Sequence, residues 1–265
     1  MVVEVTRNGD GEIVERKTGR MSKYPKVANF VNGRAQIQAQ FHVTSNSRHY
    51  SSHCPDHGLI LPFPLSFSQV KGPGVGLLGI SKGGDLCLSM ASFLKGITAA
   101  VIINGSVANV GGALHYKGET LPPVGVNPKR VKVTSEGFAD ILDVLNSPLE
   151  GPDQKSFIPV ERAESAFLFL VGQDDHNWKS EFYASEASKR LQAHGKERPQ
   201  IICYPGAGHY IEPPYFPMCL ASMHTLVGRP VIWGGEPRAH AMAQVDAWKQ
   251  LQAFFHKHLG GKELG

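Results

Sequence analysis

A serine flanked by glycines is the residue of this chain whose setting points most clearly to chemistry. Ser81 is the centre of the pentapeptide G-I-S-K-G, which follows an apolar run at 75–80 and precedes a helix-like run at 85–95. A strand, a sharp turn of small residues and a helix together lift such a serine out of the sheet as a nucleophile. Gly84 adds a small residue where the helix passes the strand. We therefore predict that Ser81 is a nucleophile and that the backbone N–H of Lys82 faces the oxyanion.

A nucleophilic serine needs a base within hydrogen-bond reach, and the base needs an orienting carboxylate. His209 ends the loop P-G-A-G-H, which follows the apolar run at 201–204. Asp174 and Asp175 follow the apolar run at 167–171. Both loops come just past the end of a predicted strand, where sites in parallel sheets form, and the order Ser, Asp, His is that of α/β-hydrolases. The residues alone leave open which aspartate faces the histidine and which one caps the helix that follows.

Non-catalytic interpretations of the same residues have to be weighed. The pentapeptide alone is weak evidence, and without it His209 is an ordinary loop histidine. His176 comes before the last strand and is interpreted as loop surface. His256 and His258 lie near the end of the final helix, where positive charge suits the helix dipole. The twelve histidines show no metal-ligand spacing, so we expect neither a metal nor a cofactor. Three roles at three strand ends favour the catalytic interpretation.

Short apolar strands alternate with amphipathic helices from Val70 to Leu259. Fully apolar strands separated by helices imply a parallel sheet covered on both faces. The predicted fold class is therefore α/β, a partial α/β-hydrolase fold with an irregular N-terminal segment. The predicted strands are 75–80, 99–103, 166–171 and 200–204, and the predicted helices are 85–95, 178–194 and 238–259.

Residues 1–69 have a different pattern. The turn N-G-D-G at 8–11 separates two β-rich runs and predicts a small hairpin. Alternating apolar residues from Ile37 to Val43 predict one half-buried strand. We expect an N-terminal segment at 1–69, poorly ordered or small β, a catalytic domain at 70–261 and a tail at 262–265.

Composition excludes several classes of protein. The chain has 265 residues, 42% of them hydrophobic and 19% charged, and a net charge of +4, which makes nucleic acid a poor partner. No run is long and apolar enough to span a membrane, and no signal peptide or peroxisomal tripeptide is found. Cys87 and Cys203 lie in apolar runs and are expected to be buried free thiols. We expect an intracellular location, with the cytoplasm first, and leave the oligomeric state open.

Four separate segments resemble one known family. From Val70 to Gly261 the chain resembles the C-terminal catalytic domain of the acyl-CoA thioesterase/bile acid-CoA:amino acid N-acyltransferase family, and most of all its mammalian type I long-chain acyl-CoA thioesterases. Agreement at several places makes this more specific than one motif. The segments are GLLGISKGG at 76–84, VGQDDHNW at 171–178, GHYIEPP at 208–214 and GGEPRAH at 234–240.

The resemblance implies roles and a substrate. By position it makes Ser81 the nucleophile, Asp175 rather than Asp174 the acid, and His209 the base. It implies hydrolysis of fatty acyl-CoA to free fatty acid and CoA through an acyl-serine. Relatives that conjugate bile acids carry cysteine at the elbow, so serine favours water as acceptor, while N-acyl transfer to an amino acid stays an alternative. A general esterase with the same machinery is another.

The chain departs from the family pattern before Val70. The family has an N-terminal β-sandwich and then first hydrolase strands with a glycine-rich oxyanion loop, and residues 1–69 show neither. We therefore expect Lys82 to be the only secure oxyanion donor and Val75 to lie on an exposed edge strand, with Ile37–Val43 as a speculative partner. The hypothesis is a truncated or alternative family member with a complete triad and a weakened site. The opposing hypothesis is an inactive remnant that acts as an interaction or acyl-binding protein.

Overall fold

A six-stranded sheet with α-helices on both faces positions the predicted site residues. The computed structural model describes residues 2–7, 13–17, 30–32, 35–37, 42–44, 71–224 and 227–260. The strands are β1 (Val2–Arg7), β2 (Ile13–Lys17), β3 (Phe30–Asn32), β4 (Ala35–Ile37), β5 (His42–Thr44), β6 (Lys71–Ile80), β7 (Ile97–Ile103), β8 (Ala113–Tyr116), β9 (Glu119–Leu121), β10 (Lys132–Val133), β11 (Ala139–Asp140), β12 (Ala166–Gly172), β13 (Gln200–Tyr204), β14 (Ala221–His224) and β15 (Arg229–Ile232). The α-helices are α1 (Lys82–Phe93), α2 (Ser180–Ala193) and α3 (Pro237–Leu259).

The main sheet has the order β13-β12-β7-β6-β1-β2. Its strands β6, β7, β12 and β13 run parallel, and β1 and β2 add an antiparallel hairpin beside β6. The carboxyl ends of the parallel strands therefore meet at one edge, where the chain can assemble a site. The α/β fold class and the hairpin around the N-G-D-G turn are confirmed.

The prediction that β6 is an exposed edge strand is wrong. Strand β1 pairs with it antiparallel, with Val3 opposite Leu78 and Val5 opposite Gly76. The described ends of the predicted strand from Ile37 to Val43 do not pair with β6, because Ile37 lies in β4, which pairs with β3, and Val43 lies in β5, which pairs with β8. The residues between β4 and β5 lie outside the described residues. The proposed domain boundaries at 69/70 and 261/262 stay a prediction.

Alternation along the parallel strands divides the core into two layers. Ile102 of β7 packs in the cluster under α1 and α2, whereas its neighbours Val101 and Ile103 pack in the cluster under α3. Full burial of one such side chain stabilises the fold by roughly 1.5–3 kcal/mol. Because both faces are covered, the strands are apolar throughout, which is the pattern that made them predictable.

Local signals set the helix boundaries close to the predicted ones. Gly96, at φ 82°, follows α1, since glycine adopts this conformation at little cost. Pro237 occupies the first turn of α3, and the Glu236 carboxylate accepts from the N–H groups of Arg238 and Ala239. The end of α1 and the start of α3 therefore lie where short-range chemistry places them.

The connection from β7 to β12 was not predicted in detail. It holds the β8–β9 hairpin, β10 and β11, and three short 3₁₀ helices. Strands β10 and β11 join β15 and β14 in a second sheet of order β10-β11-β15-β14.

The described cysteines are free. Cys87 is buried as expected, but Cys203 is only partly buried, so that prediction holds for one of the two thiols. Cys54 lies outside the described residues. In the part of the chain that the structure describes, no helix combines the length and apolarity needed to cross a bilayer.

Candidate active site

Ser81 occupies a strained turn between β6 and α1. Its backbone lies at φ 58° and ψ −129°, a region that L-residues rarely adopt and that costs on the order of 1–3 kcal/mol. A Cβ atom on Gly79 would lie 2.1 Å from the carbonyl oxygen of Gly83, so the turn requires glycine at 79. A Cβ atom on Gly84 would lie 2.8 Å from Cα of Gly105. The glycines of the motif thus allow the turn that exposes the serine hydroxyl at the strand end.

His209 lies beside that hydroxyl. Its Nε2 is 2.7 Å from Oγ of Ser81, and its Nδ1 is 2.8 Å from Oδ2 of Asp175. The imidazole is fully buried. An ionised carboxylate only accepts, so Nδ1 donates to Asp175, and Nε2 is left to accept the proton of the serine hydroxyl. The structure therefore brings Ser81, His209 and Asp175 together in the order that proton transfer requires.

Asp175 accepts four hydrogen bonds. Its Oδ1 accepts from the N–H groups of Asn177 and Trp178, at 2.8 and 3.0 Å. Its Oδ2 accepts from Oγ of Ser180 at 2.6 Å and from His209. The expectation that one aspartate faces the histidine holds for Asp175, but neither aspartate caps the next helix, because the N-cap position of α2 is Lys179, with no side-chain cap bond. The three bonds from Asn177, Trp178 and Ser180 fix the orientation of the carboxylate that faces His209.

Asp174 points to the other side of the loop. Its Oδ2 accepts from the N–H of Gly235 at 2.7 Å, and its Oδ1 is 3.4 Å from Nε2 of His176. Nδ1 of His176 is 2.8 Å from Oδ2 of Asp140. Burial lowers the pKa of His176, but the carboxylates of Asp140 and Asp174 outweigh it and leave that pKa raised. His176 is partly exposed, as expected of loop surface, yet its bond to Asp140 joins the loop of Asp174 to β11.

Aromatic rings enclose the imidazole of His209. Trp233 stacks on it at 5.6 Å between centroids, while Trp178 and Tyr210 meet it edge-on at 5.7 and 5.0 Å. Asn177 also contacts the ring, with its Nδ2 3.0 Å from Nε2 of His209. Sequence reasoning assigned no role to these residues. For Asn177 and Trp178 the available signal was their place within two or three residues of Asp175.

The lysine of the elbow forms a partly buried ion pair. Nζ of Lys82 lies 2.9 Å from Oδ2 of Asp85 and 3.0 Å from Oδ1 of Asn109. Burial raises the pKa of Asp85 to about 6, although Lys82 and the N–H of Val110 lower it. The other oxygen of Asp85 is buried without a hydrogen-bond partner among the described residues. The side chain of Lys82 therefore stabilises the turn.

The backbone N–H of Lys82 has no acceptor within its own helix. Lys82 is the first residue of α1, and the first N–H groups of a helix have no intrahelical acceptor. This is the position at which an oxyanion donor follows the nucleophile. Among the described residues, no group of three or more His, Cys, Asp or Glu side chains is arranged to hold a metal ion.

A sheet with four parallel strands, a strained serine turn and a Ser–His–Asp chain define the molecule as an α/β protein of the hydrolase type. The chain belongs to the family described as BAAT / Acyl-CoA thioester hydrolase C terminal, whose model matches residues 61–261. The family expected from the four sequence segments is thereby confirmed.

Curated relatives agree with this assignment. The chain is 85% identical over 199 residues to human acyl-coenzyme A thioesterase 2, mitochondrial, covering 75% of this chain and 41% of the relative. It is equally identical to human acyl-coenzyme A thioesterase 1, covering 47% of it, and 76% identical to mouse acyl-coenzyme A thioesterase 3, covering 46%. The chain thus spans less than half the length of these relatives. Among solved structures it is similar to Pyrococcus horikoshii acylaminoacyl peptidase, with a TM-score of 0.41 and 17% identity over 74% of this chain and 26% of that one.

Proposed function

We propose that this chain hydrolyses fatty acyl-CoA thioesters to free fatty acid and CoA through an acyl-serine at Ser81. The observation that carries the proposal is the hydrogen-bonded series Ser81–His209–Asp175, with distances of 2.7 and 2.8 Å, in a chain of the acyl-CoA thioester hydrolase family. The relatives named above are acyl-coenzyme A thioesterases, which supports the thioester as substrate.

The first half of the reaction acylates the serine. Nε2 of His209 takes the proton as Oγ of Ser81 attacks the thioester carbonyl, and Asp175 stabilises the imidazolium that forms. The tetrahedral intermediate collapses by breaking the C–S bond. CoA leaves as the thiol, with its proton delivered by His209. The buried ring and its aromatic enclosure limit access of bulk water to this proton transfer.

The second half returns the serine. Nε2 of His209 removes a proton from a water molecule, which attacks the acyl-serine carbonyl, and the protonated histidine then returns that proton to Oγ of Ser81. The products are the fatty acid and the free enzyme. Serine at the elbow supports water as the acceptor, and an amino acid would enter at the same step as an attacking amine.

The oxyanion in both halves binds the N–H of Lys82. We assign no second hydrogen-bond donor to the oxyanion in the described residues 71–224 and 227–260. We therefore expect a reduced rate of hydrolysis. Absence of one such donor typically costs about 10²–10³-fold in rate. We also propose a cytoplasmic location, which the free thiols of the described cysteines support.

Release of CoA from palmitoyl-CoA, followed with a thiol reagent, tests the substrate. We expect slow but saturable release by the wild-type chain and none above background by Ser81→Ala. Ser92→Ala is the matched control, because Ser92 is a buried serine of α1, the helix that follows Ser81, and its Oγ donates to the carbonyl of Leu88. This control should keep the wild-type rate.

The same preparations separate the alternatives. Labelling of Ser81 by a fluorophosphonate without CoA release, together with hydrolysis of simple esters, would make the chain a general esterase. An N-acyl amino acid detected by mass spectrometry when glycine or taurine is added would make it an N-acyltransferase. No labelling and no turnover would leave an acyl-binding or interaction protein and would reject the proposal.

A further inference from the structure

Strand β7 contributes no residue to the proposed triad, yet it lies at the centre of the site. It pairs with β6, which leads to Ser81, on one side and with β12, which leads to Asp175, on the other. The residue directly after it is Asn104, which is buried, 1% exposed, and has φ at 46°. Asparagine is one of the few side chains that tolerates this left-handed conformation. A buried polar side chain at such a position has to satisfy its hydrogen bonds locally.

The side chain of Asn104 bonds to two of the three triad loops. Nδ2 donates to the carbonyl oxygens of His209, at 2.8 Å, and Gly208, at 3.1 Å. Oδ1 accepts from the N–H of Gly172 at 2.7 Å, at the start of the loop that carries Asp175. The side-chain amide thus donates both N–H groups of Nδ2 and accepts through Oδ1 at the same time. These bonds join segments that are far apart in sequence.

The backbone beside Asn104 bonds to the third loop. The carbonyl oxygen of Ile103 accepts from the N–H of Ser81 at 2.9 Å, and the N–H of Asn104 donates to Leu170 at 3.1 Å. Residues 103 and 104 are therefore bonded to the backbone on the nucleophile, acid and base sides of the site. A displacement of this strand end would change the distances among all three groups.

The remaining backbone groups of the base loop are held from the opposite side. The N–H of His209 donates to the carbonyl of Trp233 at 2.9 Å. The N–H of Gly208 donates to Nδ1 of the buried His240, whose Nε2 donates to the carbonyl of Tyr210. Among the described residues, Asn104 is the donor to the carbonyl oxygens of Gly208 and His209. Its removal would leave those oxygens without a donor from the described part of the chain.

We propose that Asn104 is a positioning residue, which holds the His209 loop at hydrogen-bond distance from Ser81 while it anchors the Asp175 loop. Its influence on turnover rests on the proposed hydrolysis, but its influence on Ser81 reactivity does not. Asparagine is required because the position needs a donor to two carbonyls, an acceptor for one N–H and a left-handed backbone. Aspartate keeps the acceptor and loses the donors, and glycine keeps only the backbone conformation.

Asn104→Asp gives the sharpest test. A carboxylate oxygen would face the carbonyl oxygens of Gly208 and His209 and push the base loop away. We expect kcat for palmitoyl-CoA to fall about 10²-fold or more, as for small misplacements of catalytic groups, with KM within about twofold because no substrate contact changes. Asn104→Gly, which suits φ 46°, should fold and show a similar loss of kcat with KM retained.

Leu191→Ala controls for loss of stability. Leu191 is 2% exposed in the core under α2, and its truncation removes buried contacts without touching the site. Measured well below its unfolding midpoint, this variant should keep the wild-type kcat. The proposal is overturned if Asn104→Gly keeps the wild-type kcat. It is also overturned if the loss of kcat in Asn104→Gly is no larger than that in a Leu191→Ala chain of equal or lower stability.

Fluorophosphonate labelling separates this inference from the proposed substrate. Labelling measures the reactivity of Ser81 without acyl-CoA, and we expect Asn104→Asp and Asn104→Gly to label at least tenfold more slowly than the wild-type chain and Leu191→Ala. If the wild-type chain is labelled but does not hydrolyse palmitoyl-CoA, the substrate is wrong while the labelling rates still test Asn104. Equal labelling of all four chains would contradict the role of Asn104.

Discussion

The two sides of the Ser81–His209 hydrogen bond are built differently. On the base side, Asp175 accepts four hydrogen bonds, and the N–H and carbonyl of His209 both have partners. On the elbow side, Ser81 holds a strained backbone, and the buried Asp85 leaves one oxygen unpaired. Asp175 and the backbone of His209 are satisfied, although the buried Oδ1 of the neighbouring Asn177 has no partner among the described residues, whereas the elbow holds the strained backbone.

The difference indicates a division of labour between stability and reactivity. Precise placement of the base comes from bonds that also stabilise the fold. Exposure of the nucleophile comes from a turn that destabilises it, which persists only because β6, β7 and α1 hold it. Changes on the base side should therefore lower activity and stability together, and changes on the elbow side should separate the two.

Replacement of Ser81 should have the largest effect and should separate activity from stability fully. Ser81→Ala and Ser81→Gly both remove the nucleophile, and turnover should fall by about 10⁴-fold or more. Glycine relieves the strain at φ 58° and alanine does not, so the glycine variant should be more stable by about 1 kcal/mol. Urea unfolding of both variants measures this. Equal stability would show that the elbow is not strained.

Asp175→Asn should lower both turnover and the free energy of unfolding. An amide N–H would face Nδ1 of His209 and favour the opposite tautomer, so kcat should fall by about 10³–10⁴-fold, and a urea titration should show a lower unfolding free energy. Asp174→Asn is the matched control, because an amide oxygen can still accept from the N–H of Gly235. A larger loss in Asp174→Asn than in Asp175→Asn would reverse the assignment of the acid.

The buried Asp85 should make the elbow pH-sensitive. Its pKa is about 6 in the folded chain and 3.8 as a free side chain, so the folded state keeps a proton that the unfolded state has released. The stability that this group contributes is fully present below pH 3.8 and is lost as the pH rises to about 6. The free energy of unfolding should differ by roughly 3 kcal/mol between these limits. Urea unfolding from pH 4 to pH 7 should show this decline relative to Asp85→Asn. Parallel pH curves for the two chains would contradict it.

A left-handed residue outside the site offers the smallest effect and a control for the strain argument. Lys117, at φ 45°, precedes Gly118 in the two-residue turn between β8 and β9. Lys117→Asn should raise the unfolding free energy by about 0.5 kcal/mol with unchanged turnover, because asparagine suits this turn. Thermal unfolding and the CoA-release assay check both parts. A loss of turnover would mean that strain in this hairpin also serves the site.

Much of the frame was predictable from short-range patterns. The parallel strands and the helices were found because apolar runs and 3.6-residue periods are local signals. The pairing of β1 with β6 was missed, since an antiparallel contact between distant segments leaves no local trace. The strands between β7 and β12 were missed because they are short and mixed in polarity.

The site was predictable only in part. The spacing of strand ends led to Ser81 and His209, whereas the choice of Asp175 over Asp174 needed the family resemblance. Geometry supplies the physical reason, because Asp174 points to Gly235 while Asp175 faces the histidine. Asn104 was not found from the sequence, because its role depends on three loops that only the folded chain brings together.

The acyl-serine is the most direct test of the central claim. The wild-type chain is mixed rapidly with palmitoyl-CoA, quenched in acid and analysed by intact-protein and peptide mass spectrometry. We expect one palmitoyl group on the peptide that contains Ser81, formed as CoA is released, and no adduct in Ser81→Ala. Release of CoA by Ser81→Ala at the wild-type rate, or a wild-type chain that neither carries the adduct nor releases CoA, would contradict the account.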